Sequence, residues 1–292
     1  MNFKDFSRAY LKQKKRAQIN KKTLSRIDVI RLNILNSGVV KFLALSESMP
    51  SPLRMKNLQF GSSKIILHCG AHLGEESTEY KRCGAEEIFW VEAQPEKIVA
   101  LKESFGSRNV FSGVLADESR VQVPFYVTSN SLSSSSRRIN PNQWQVVVDE
   151  VIQLQTITLD DVAREIYLIN RTLPDLLVLD LQGSEYEAIL GGIFLLSKID
   201  FIIVEFSTFE LYDNQKTLND IVSILNSKSF EMFYKVENSG HGEAFFVRTT
   251  VLTVGSKIRR SVFQYYFILR AKASKFMRRA ILKGVLVLER LN

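Results

Sequence analysis

Short apolar runs alternate along the middle of this chain with polar segments long enough to form helices. The runs are rich in β-branched and aromatic residues and occupy residues 65–69, 88–92, 110–115, 176–181, 201–206, 230–236 and 244–247. This alternation is typical of an α/β domain with a mostly parallel sheet. The last two runs are joined by a short, turn-rich stretch, residues 237–242. Because so short a connection joins only antiparallel neighbours, the sheet is predicted to end in a hairpin.

Two further segments, residues 121–128 and 146–158, interrupt this alternation and are predicted to form additional strands. Between them lies a serine-rich loop, residues 129–136, that runs on to Pro141. A loop of this length inside a compact domain is usually functional or mobile. Its hydroxyl groups are suited to hydrogen bonds with a polyhydroxylated ligand. A flexible loop in solvent is the alternative interpretation.

Composition limits the class of protein. The chain has 292 residues, of which 45% are hydrophobic and 24% charged, so a wholly disordered chain is excluded. Cys69 and Cys83 are the only cysteines, which excludes a disulfide framework and favours a reducing compartment. No apolar run is long enough to span a bilayer, and the lysine-rich start lacks the apolar stretch of a secretory signal. The sequence therefore predicts a cytoplasmic protein.

The net charge of +8 is unevenly distributed. Residues 1–60 carry 13 Lys and Arg against 3 Asp and Glu, residues 251–292 carry 10 against 1, and residues 61–250 carry 16 against 27. We therefore predict a basic helical N-terminal extension (1–60), an acidic α/β domain (61–250) and a basic amphipathic C-terminal helix (251–292). The basic ends are suited to peripheral contact with an anionic membrane surface, or to packing on the domain or on a partner chain.

A glycine turn follows the first predicted strand. The sequence after residues 65–69 is Gly70-Ala71-His72-Leu73-Gly74, and the polar residues 75–78 then begin a predicted helix. A strand, a glycine turn and a helix in this order bring backbone N–H groups close to a bound nucleotide. Gly70 permits the tight turn, and Gly74 permits close approach of a ligand or of neighbouring backbone.

The second predicted strand ends in a carboxylate at an informative spacing. Glu92 lies 22 residues after Gly70, the spacing at which a carboxylate at the tip of the second strand accepts hydrogen bonds from ribose hydroxyls. A surface carboxylate in the following loop is the alternative interpretation. Taken together, the glycine turn and Glu92 indicate a ligand that contains adenosine.

The same turn favours S-adenosylmethionine (SAM) over NAD. Dinucleotide folds usually have a third glycine, so that a pyrophosphate can lie on the helix N-terminus. That glycine is absent here, and Glu75 and Glu76 are predicted to occupy the first helical turn. Two carboxylates repel a pyrophosphate but not a ligand with a sulfonium and an ammonium group. The predicted antiparallel last pair of strands also favours the methyltransferase form of the sheet.

Successive motifs of residues 64–248 resemble those of the FkbM-type SAM-dependent methyltransferases. These motifs are ILHCGAHLGEES, FWVEAQPE, NVFSGVLADES, TLDD with LLVLDLQGSEYEAILGG, IIVEF and HGEAFFV, and LDLQGSEYEAILGG is the most specific of them. The resemblance implies a Rossmann-like class I methyltransferase fold. It also implies O-methylation, in that family typically of a hydroxyl on a sugar or polyketide, so the expected partner is a hydroxylated small molecule or glycan.

The resemblance also implies which residues bind the cofactor. Glu92 matches the ribose-binding carboxylate, and the turn that contains Gly70, Ala71 and Gly74 matches the cofactor turn. The segment of Leu115, Ala116 and Asp117 matches the one that borders adenine. His68 stands where the family usually has an acidic residue, and His72 stands where it often has Asn. Both are expected near the methionine end of the cofactor, although a buried His68 without ligand contact is the alternative.

The candidate catalytic residues follow two other predicted strands. Asp180 ends an apolar strand and is followed by Gln182 and Glu185, while Glu205 ends the next strand. Because ligands bind at the carboxyl ends of parallel strands, Asp180, Glu185 and Glu205 are expected to converge near the transferred methyl group. Asp180 is the first candidate for the general base that takes the acceptor proton. Its alternative role is to cap the following helix, with Glu185 in solvent.

Two further candidates complete the predicted site. His241 lies between Gly240 and Gly242, either at the acceptor pocket or as a plain hairpin turn residue. A divalent metal held by Asp180 and Glu205 is conceivable, since Mg²⁺ prefers oxygen ligands, but it is not favoured.

Rival functions remain at the level of sequence. A non-catalytic SAM-binding scaffold, a nucleic-acid methyltransferase and an NAD-dependent oxidoreductase are the alternatives. Nucleic acid is a disfavoured partner, because only the ends of the chain are basic.

Overall fold

The computed structural model describes residues 51–141, 146–253 and 255–256, which all belong to one compact unit. The predicted N-terminal extension lies outside the described residues up to residue 50, and the predicted C-terminal helix lies outside them from residue 257. Residues 52–60 form a helix whose last residue, Phe60, packs on aromatic side chains of the sheet, with ring centroids 5.2 Å from Phe233 and 5.3 Å from Phe201. No helix among the described residues is long and apolar enough to cross a membrane.

The domain alternates strands and helices, as the apolar pattern predicts. The strands are β1 (Ile65–Cys69), β2 (Glu87–Glu92), β3 (Val110–Ser112), β4 (Val114–Leu115), β5 (Gln122–Thr128), β6 (Val148–Ile157), β7 (Leu176–Leu179), β8 (Phe201–Ser207), β9 (Phe230–Asn238) and β10 (His241–Arg248). The α-helices are α1 (Pro52–Phe60), α2 (Ser77–Arg82), α3 (Pro95–Phe105), α4 (Leu159–Asn170), α5 (Glu185–Leu190), α6 (Ile193–Leu196) and α7 (Leu218–Ser227).

Seven strands form the main sheet, in the order β3-β2-β1-β7-β8-β10-β9. β10 is antiparallel to both of its neighbours, and the other adjacent strands are paired in parallel. This is the Rossmann-like class I methyltransferase sheet with its terminal antiparallel hairpin, as predicted. The hairpin turn consists of Ser239 and Gly240, which have φ angles of 52° and 88°. His241 is the first residue of β10 and pairs with Ser207 and Asn238, so it is a strand residue rather than a turn residue.

A second, three-stranded sheet, β4-β6-β5, contains the two extra strands predicted from the sequence. The predicted strand over residues 110–115 is divided between the two sheets at Gly113, which has a φ of 148°. A Cβ on Gly113 would lie 2.9 Å from Cγ2 of Ile157. Close packing against β6 therefore ends β3 at this glycine, and the chain enters the small sheet.

The main core lies on one face of the large sheet. Alternate residues of β1, β2 and β7, among them Leu67, Phe89 and Leu177, pack there against the apolar side of α4. α4 begins after Thr158, whose hydroxyl accepts a hydrogen bond from the Asp161 N–H at 3.1 Å. This packing fixes the strands relative to one another, so that their carboxyl ends form one edge.

Candidate active site

A cavity of about 450 Å³ opens where β1, β2 and β7 end. This is the edge at which open α/β sheets bind ligands. The lining residues include five carboxylates and one lysine: Glu75, Glu76, Glu92, Asp180, Glu205 and Lys97. The cavity is therefore acidic, which suits a cationic ligand.

The glycine turn forms one wall of the cavity, and its backbone contacts are fixed. Gly70 has a φ of 85°, and a Cβ on it would lie 1.7 Å from the carbonyl oxygen of Asp180. The N–H groups of Gly70 and Ala71 both donate to the Val91 carbonyl at 3.0 Å. Gly70 lines the cavity, whereas Ala71 is buried beneath it. Only glycine fits where the ends of β1 and β7 approach so closely.

Gly74 has a packing role. With a φ of 76°, it lies against α3, and a Cβ on it would stand 2.5 Å from the Phe105 ring. Gly74 therefore permits the close approach of a neighbouring side chain, that of Phe105, and not of a ligand.

Glu92 ends β2 and points into the cavity with a fixed orientation. Its carboxylate accepts hydrogen bonds from the backbone N–H groups of His72, Ala93 and Gln94, each at 2.8 Å. An ionised carboxylate offers roughly four acceptor positions, so about one remains for a ligand hydroxyl. The bond from His72 ties the glycine turn to the end of β2.

Glu75 and Glu76 lie before α2, which begins only at Ser77, and not in its first turn as predicted. Both line the cavity. Glu75 accepts a hydrogen bond from the Leu73 N–H at 3.1 Å, and Nδ1 of His72 lies 2.6 Å from its other oxygen. Burial opposes ionisation of Glu75, but these backbone and His72 contacts lower its pKa overall. The helix therefore starts behind two carboxylates that face the ligand.

His68 differs from the expectation for a cofactor ligand. It is only 2% exposed and is absent from the described lining of the cavity. Its Nδ1 lies 2.6 Å from the Tyr80 hydroxyl, and its ring centroid is 5.4 Å from that of Trp90. Alternation along β1 turns His68 away from the core face of Leu67 and towards this aromatic group under α2, where its side chain is buried.

Ala116 and Asp117 also lie away from the described lining, where Gly113, Val114 and Leu115 take their place. The Ala116 N–H donates to the Ile157 carbonyl at 3.0 Å, and a Cβ on Gly191 would lie 2.2 Å from the Ala116 carbonyl oxygen. The chain has thus already turned towards α5 at Ala116. Of the predicted segment 115–117, only Leu115 therefore lines the cavity.

Asp180 and Glu205 lie together in the cavity and are joined by one amide group. Nε2 of Gln182 donates to Oδ1 of Asp180 and to Oε2 of Glu205, at 2.7 Å in each case. Burial raises the pKa of Glu205 well above its usual range, and the charge and hydrogen bonding of Asp180 raise it further. Ionisation of Glu205 is therefore opposed both by its burial and by the neighbouring Asp180.

Glu185 lies behind the cavity and is absent from its described lining. It is 2% exposed, and its carboxylate accepts hydrogen bonds from the N–H groups of Leu181 at 2.8 Å and of Gly183 at 3.1 Å. Burial raises the pKa of Glu185 to about 7, although the backbone hydrogen bonds oppose the shift. This geometry supports the loop between β7 and α5 and differs from the expected position near the methyl group.

The serine-rich loop is bonded to the β7–α5 loop. Ser135 donates its hydroxyl to the carbonyl of Gln182 at 2.7 Å, and the hydroxyl oxygens of Ser136 and Ser184 are 2.8 Å apart. Ser134 and Ser136 line the cavity. The alternative of a loop free in solvent does not apply to these residues, and two of the serine hydroxyls reach the ligand space.

His241 stands apart from the described lining of the cavity. Its ring packs edge-on against Phe209, with centroids 5.5 Å apart, and burial lowers its pKa. A contact with the acceptor therefore has no support in the lining of the cavity.

Two residues that sequence reasoning missed belong to the site. Lys97 in the first turn of α3 lines the cavity, and burial lowers its pKa while Glu92 and Glu75 oppose the shift. Tyr212 donates its hydroxyl to Oε1 of Gln182 at 2.8 Å. Lys97 lies five residues after Glu92, so its place near Glu92 could have been predicted from the sequence. Tyr212 lies in a loop distant in sequence, and no feature of the sequence predicts its contact with Gln182.

A metal has little support among the described residues. They contain no group of three or more His, Cys, Asp and Glu side chains that could hold an ion. In addition, Nε2 of Gln182 occupies the position between Asp180 and Glu205 that a shared cation would take.

Residues 68–232 match the family model described as "Methyltransferase FkbM domain". A curated protein of Sinorhizobium fredii, the 2-O-methyltransferase NoeI, is 26% identical over 200 residues, which is 63% of this chain and 79% of the relative.

Several solved structures of methyltransferases match this chain at low similarity. Magnesium protoporphyrin IX methyltransferase of Synechocystis PCC 6803, with bound SAM, is 11% identical with a TM-score of 0.37 and covers 85% of this chain and 98% of its own. A TehB-like SAM-dependent methyltransferase of Corynebacterium glutamicum is 13% identical with a TM-score of 0.36, covering 72% and 93%. These scores are too low to carry an argument about substrate.

Proposed function

This chain belongs to the FkbM family of methyltransferases, and we propose that, as a SAM-dependent enzyme, it methylates a hydroxyl group of a sugar, a glycan or a related secondary metabolite. The observation that carries the proposal is the pair of Asp180 and Glu205 beside the Gly70 turn, in one acidic cavity. The name of the relative NoeI, a 2-O-methyltransferase, supports oxygen as the methylated atom.

The residues of the cavity fit SAM. Glu92 is suited to the ribose hydroxyls because it has an acceptor position left after three backbone bonds. Residues 113–115 would border the adenine, and the Gly70–His72 turn, with Glu75 and Glu76, would hold the methionine end. Bound SAM supplies a methyl carbon made electrophilic by the positive sulfur. The surplus of carboxylates over Lys97 favours such a cation electrostatically.

Asp180 is the proposed general base. It takes the proton of the acceptor hydroxyl while the acceptor oxygen bonds to the methyl carbon, and the electron pair of the broken carbon–sulfur bond stays on sulfur. Glu205 keeps its proton throughout, because its pKa lies well above the usual range. Ser134 and Ser136 are placed to hydrogen-bond other hydroxyls of the acceptor. Orientation of the acceptor by such contacts contributes much of the rate.

The basic ends of the chain suggest where the enzyme acts. Residues 1–60 and 251–292 hold 23 of the 39 Lys and Arg residues but only 4 of the 31 Asp and Glu residues. We propose that they make peripheral contact with an anionic membrane surface, as polybasic segments do. Vesicles that contain anionic lipid should then bind the full chain at low salt, and neutral vesicles should not. The acidic cavity disfavours the rival function of a nucleic-acid methyltransferase.

The test of the proposed function is transfer of isotope-labelled methyl from SAM to a panel of glycosides, with products analysed by mass spectrometry. Methyl ethers at a hydroxyl position support the proposal. SAM binding without transfer to any member of a broad panel would favour the non-catalytic scaffold instead. Methylation of RNA by a variant that lacks both basic ends would favour the nucleic-acid enzyme.

A further inference from the structure

One amide side chain, that of Gln182, contacts both carboxyl groups of the site and is itself held from several sides. Its Nε2 lies 2.7 Å from Asp180 and 2.7 Å from Glu205, and its Oε1 accepts the Tyr212 hydroxyl at 2.8 Å. Its backbone carbonyl accepts a hydrogen bond from Ser135 at 2.7 Å. Gln182 is therefore held at both polar atoms of its side chain and at its backbone carbonyl.

The backbone of Gln182 is also held in an uncommon conformation. Gln182 has a φ of 53°, and Gly183 after it has a φ of 101°. A Cβ on Gly183 would lie 3.0 Å from the Tyr212 ring. Glu185 binds the N–H of Gly183 from behind. A left-handed non-glycine residue persists only where its surroundings enforce it, and such positions cluster at functional sites.

Tyr212 determines which way the amide faces. Burial raises the pKa of Tyr212, and Glu205, Glu185 and Asp180 raise it further, so the phenol keeps its proton and acts as a donor. The hydroxyl has two acceptors within reach, Oε1 of Gln182 at 2.8 Å and the Ser133 carbonyl at 3.3 Å, and the shorter bond to Oε1 leaves both N–H bonds of Nε2 for Asp180 and Glu205. Without Tyr212 the amide could rotate and place its oxygen against the two carboxyl groups.

An amide is suited to this position because it donates two hydrogen bonds and carries no charge. A lysine or arginine here would favour ionisation of both carboxyl groups, and a third carboxylate would oppose it. The groups that face Glu205 are Asp180, Glu185, Glu243 and the neutral Tyr212. All of the charged groups among them are acidic, so ionisation of both carboxyl groups is unfavourable, and the two N–H bonds of the amide offset part of this cost.

We propose that Gln182, oriented by Tyr212, is a positioning residue that keeps Asp180 and Glu205 as a pair sharing one proton, with Asp180 as the member that accepts the acceptor hydroxyl proton. Only the role of Asp180 as acceptor of the hydroxyl proton rests on the proposed function. The proton of the acceptor hydroxyl passes to the pair, and it leaves to solvent after the methylated product has departed. Two carboxyl groups that share a proton titrate as a unit. Substitution of Gln182 or Tyr212 should therefore shift the protonation steps of the pair.

The first test needs no acceptor. The glutamate side-chain carboxyl carbons are followed by ¹³C NMR as a function of pH, and the Glu205 resonance is identified by its loss in Glu205→Gln. Glu205 should titrate well above the ordinary glutamate range, and its titration should move further upward in Gln182→Met, which removes both donors. Titration of Glu205 in the ordinary range would overturn the shared proton, whatever the enzyme methylates.

The second test uses the pH dependence of kcat. Tyr212→Phe should lower kcat about tenfold and move the acid limb to higher pH, because loss of oriented N–H donors makes the base easier to protonate. The KM for SAM should stay unchanged. Tyr234→Phe is the matched control, since Tyr234 and Tyr212 are each 2% exposed, and Tyr234 lies in β9 whereas Tyr212 bonds Gln182. A lower kcat with an unmoved acid limb would show a structural role only and refute the proposal.

Discussion

The backbones of Gly70 and Asp180 touch, with room for only a hydrogen atom at the α-carbon of Gly70. A Cβ there would lie 1.7 Å from the Asp180 carbonyl oxygen, and the Asp180 N–H donates to the Cys69 carbonyl at 2.9 Å. The turn proposed to hold SAM and the residue proposed to take the acceptor proton therefore form one rigid unit. A change at either residue is transmitted directly to the other.

Gly70→Ala should separate these two residues and abolish SAM binding. The matched control is Gly106→Ala, because Gly106 has the same φ of 85° but nothing within 4 Å of an added Cβ. The control should lose about 1–2 kcal/mol of unfolding free energy from backbone strain alone and should bind SAM normally. Chemical denaturation and calorimetry measure both effects. Equal behaviour of the two variants would contradict the role of the contact.

Asp180→Asn and Glu205→Gln should affect turnover very differently. The first removes the proposed base and should lower kcat by a factor of about 10²–10⁴. The second replaces an already protonated acid by a neutral group of similar shape and should cost less than about tenfold. Steady-state kinetics at saturating SAM separate the two, and a larger loss for Glu205→Gln would assign the base to Glu205 instead.

Glu185→Gln should change how stability depends on pH. Burial raises the pKa of Glu185 from its ordinary value of 4.5 to about 7 in the folded protein, so the folded state binds more protons between these values. Its contribution is therefore fully present below about pH 4.5 and is lost as the pH rises through 7, by roughly 3 kcal/mol in total. The amide removes this dependence. Urea unfolding of both proteins between pH 4.5 and 8 should show a smaller fall for the variant, and parallel curves would be inconsistent with a buried, titrating Glu185.

Tyr80→Phe should destabilise the fold without changing the affinity for SAM. Tyr80 lies 2.6 Å from Nδ1 of His68, in the aromatic group beneath α2 and outside the described lining of the cavity. Loss of one buried hydrogen bond should cost about 1–2 kcal/mol. Thermal denaturation measures this loss, and calorimetry should give an unchanged Kd for SAM. A marked fall in SAM affinity would return His68 to the cofactor site.

The sequence predicted most of the fold because its signals are local. Each strand of the main sheet is a short apolar run, and the turn at Ser239 and Gly240 fixes the hairpin. The spacing between Gly70 and Glu92 likewise reflects one strand–helix–strand unit, which brings both residues to the same edge.

The errors come from side-chain direction and from contacts distant in sequence. His68 turns away from the lining of the cavity because residues of a strand alternate between faces, and no motif shows which face borders the cavity. Ala116 follows Gly113, where the chain packs closely against Ile157 and passes from the main sheet into the second sheet. Tyr212 reaches Gln182 across 30 residues, a contact that only the folded chain creates.

The most direct test of the central claim is calorimetric titration of SAM into the folded wild type, Glu92→Ala and Glu96→Ala, with thermal denaturation to establish that each protein is folded. Glu96 is an exposed carboxylate in the first turn of α3 and serves as the control. We predict that the wild type and Glu96→Ala bind SAM equally, and that Glu92→Ala binds at least about 100-fold more weakly, since a buried ribose contact is lost. Folded wild type that does not bind millimolar SAM, or a Glu92→Ala variant of undiminished affinity, would contradict the account.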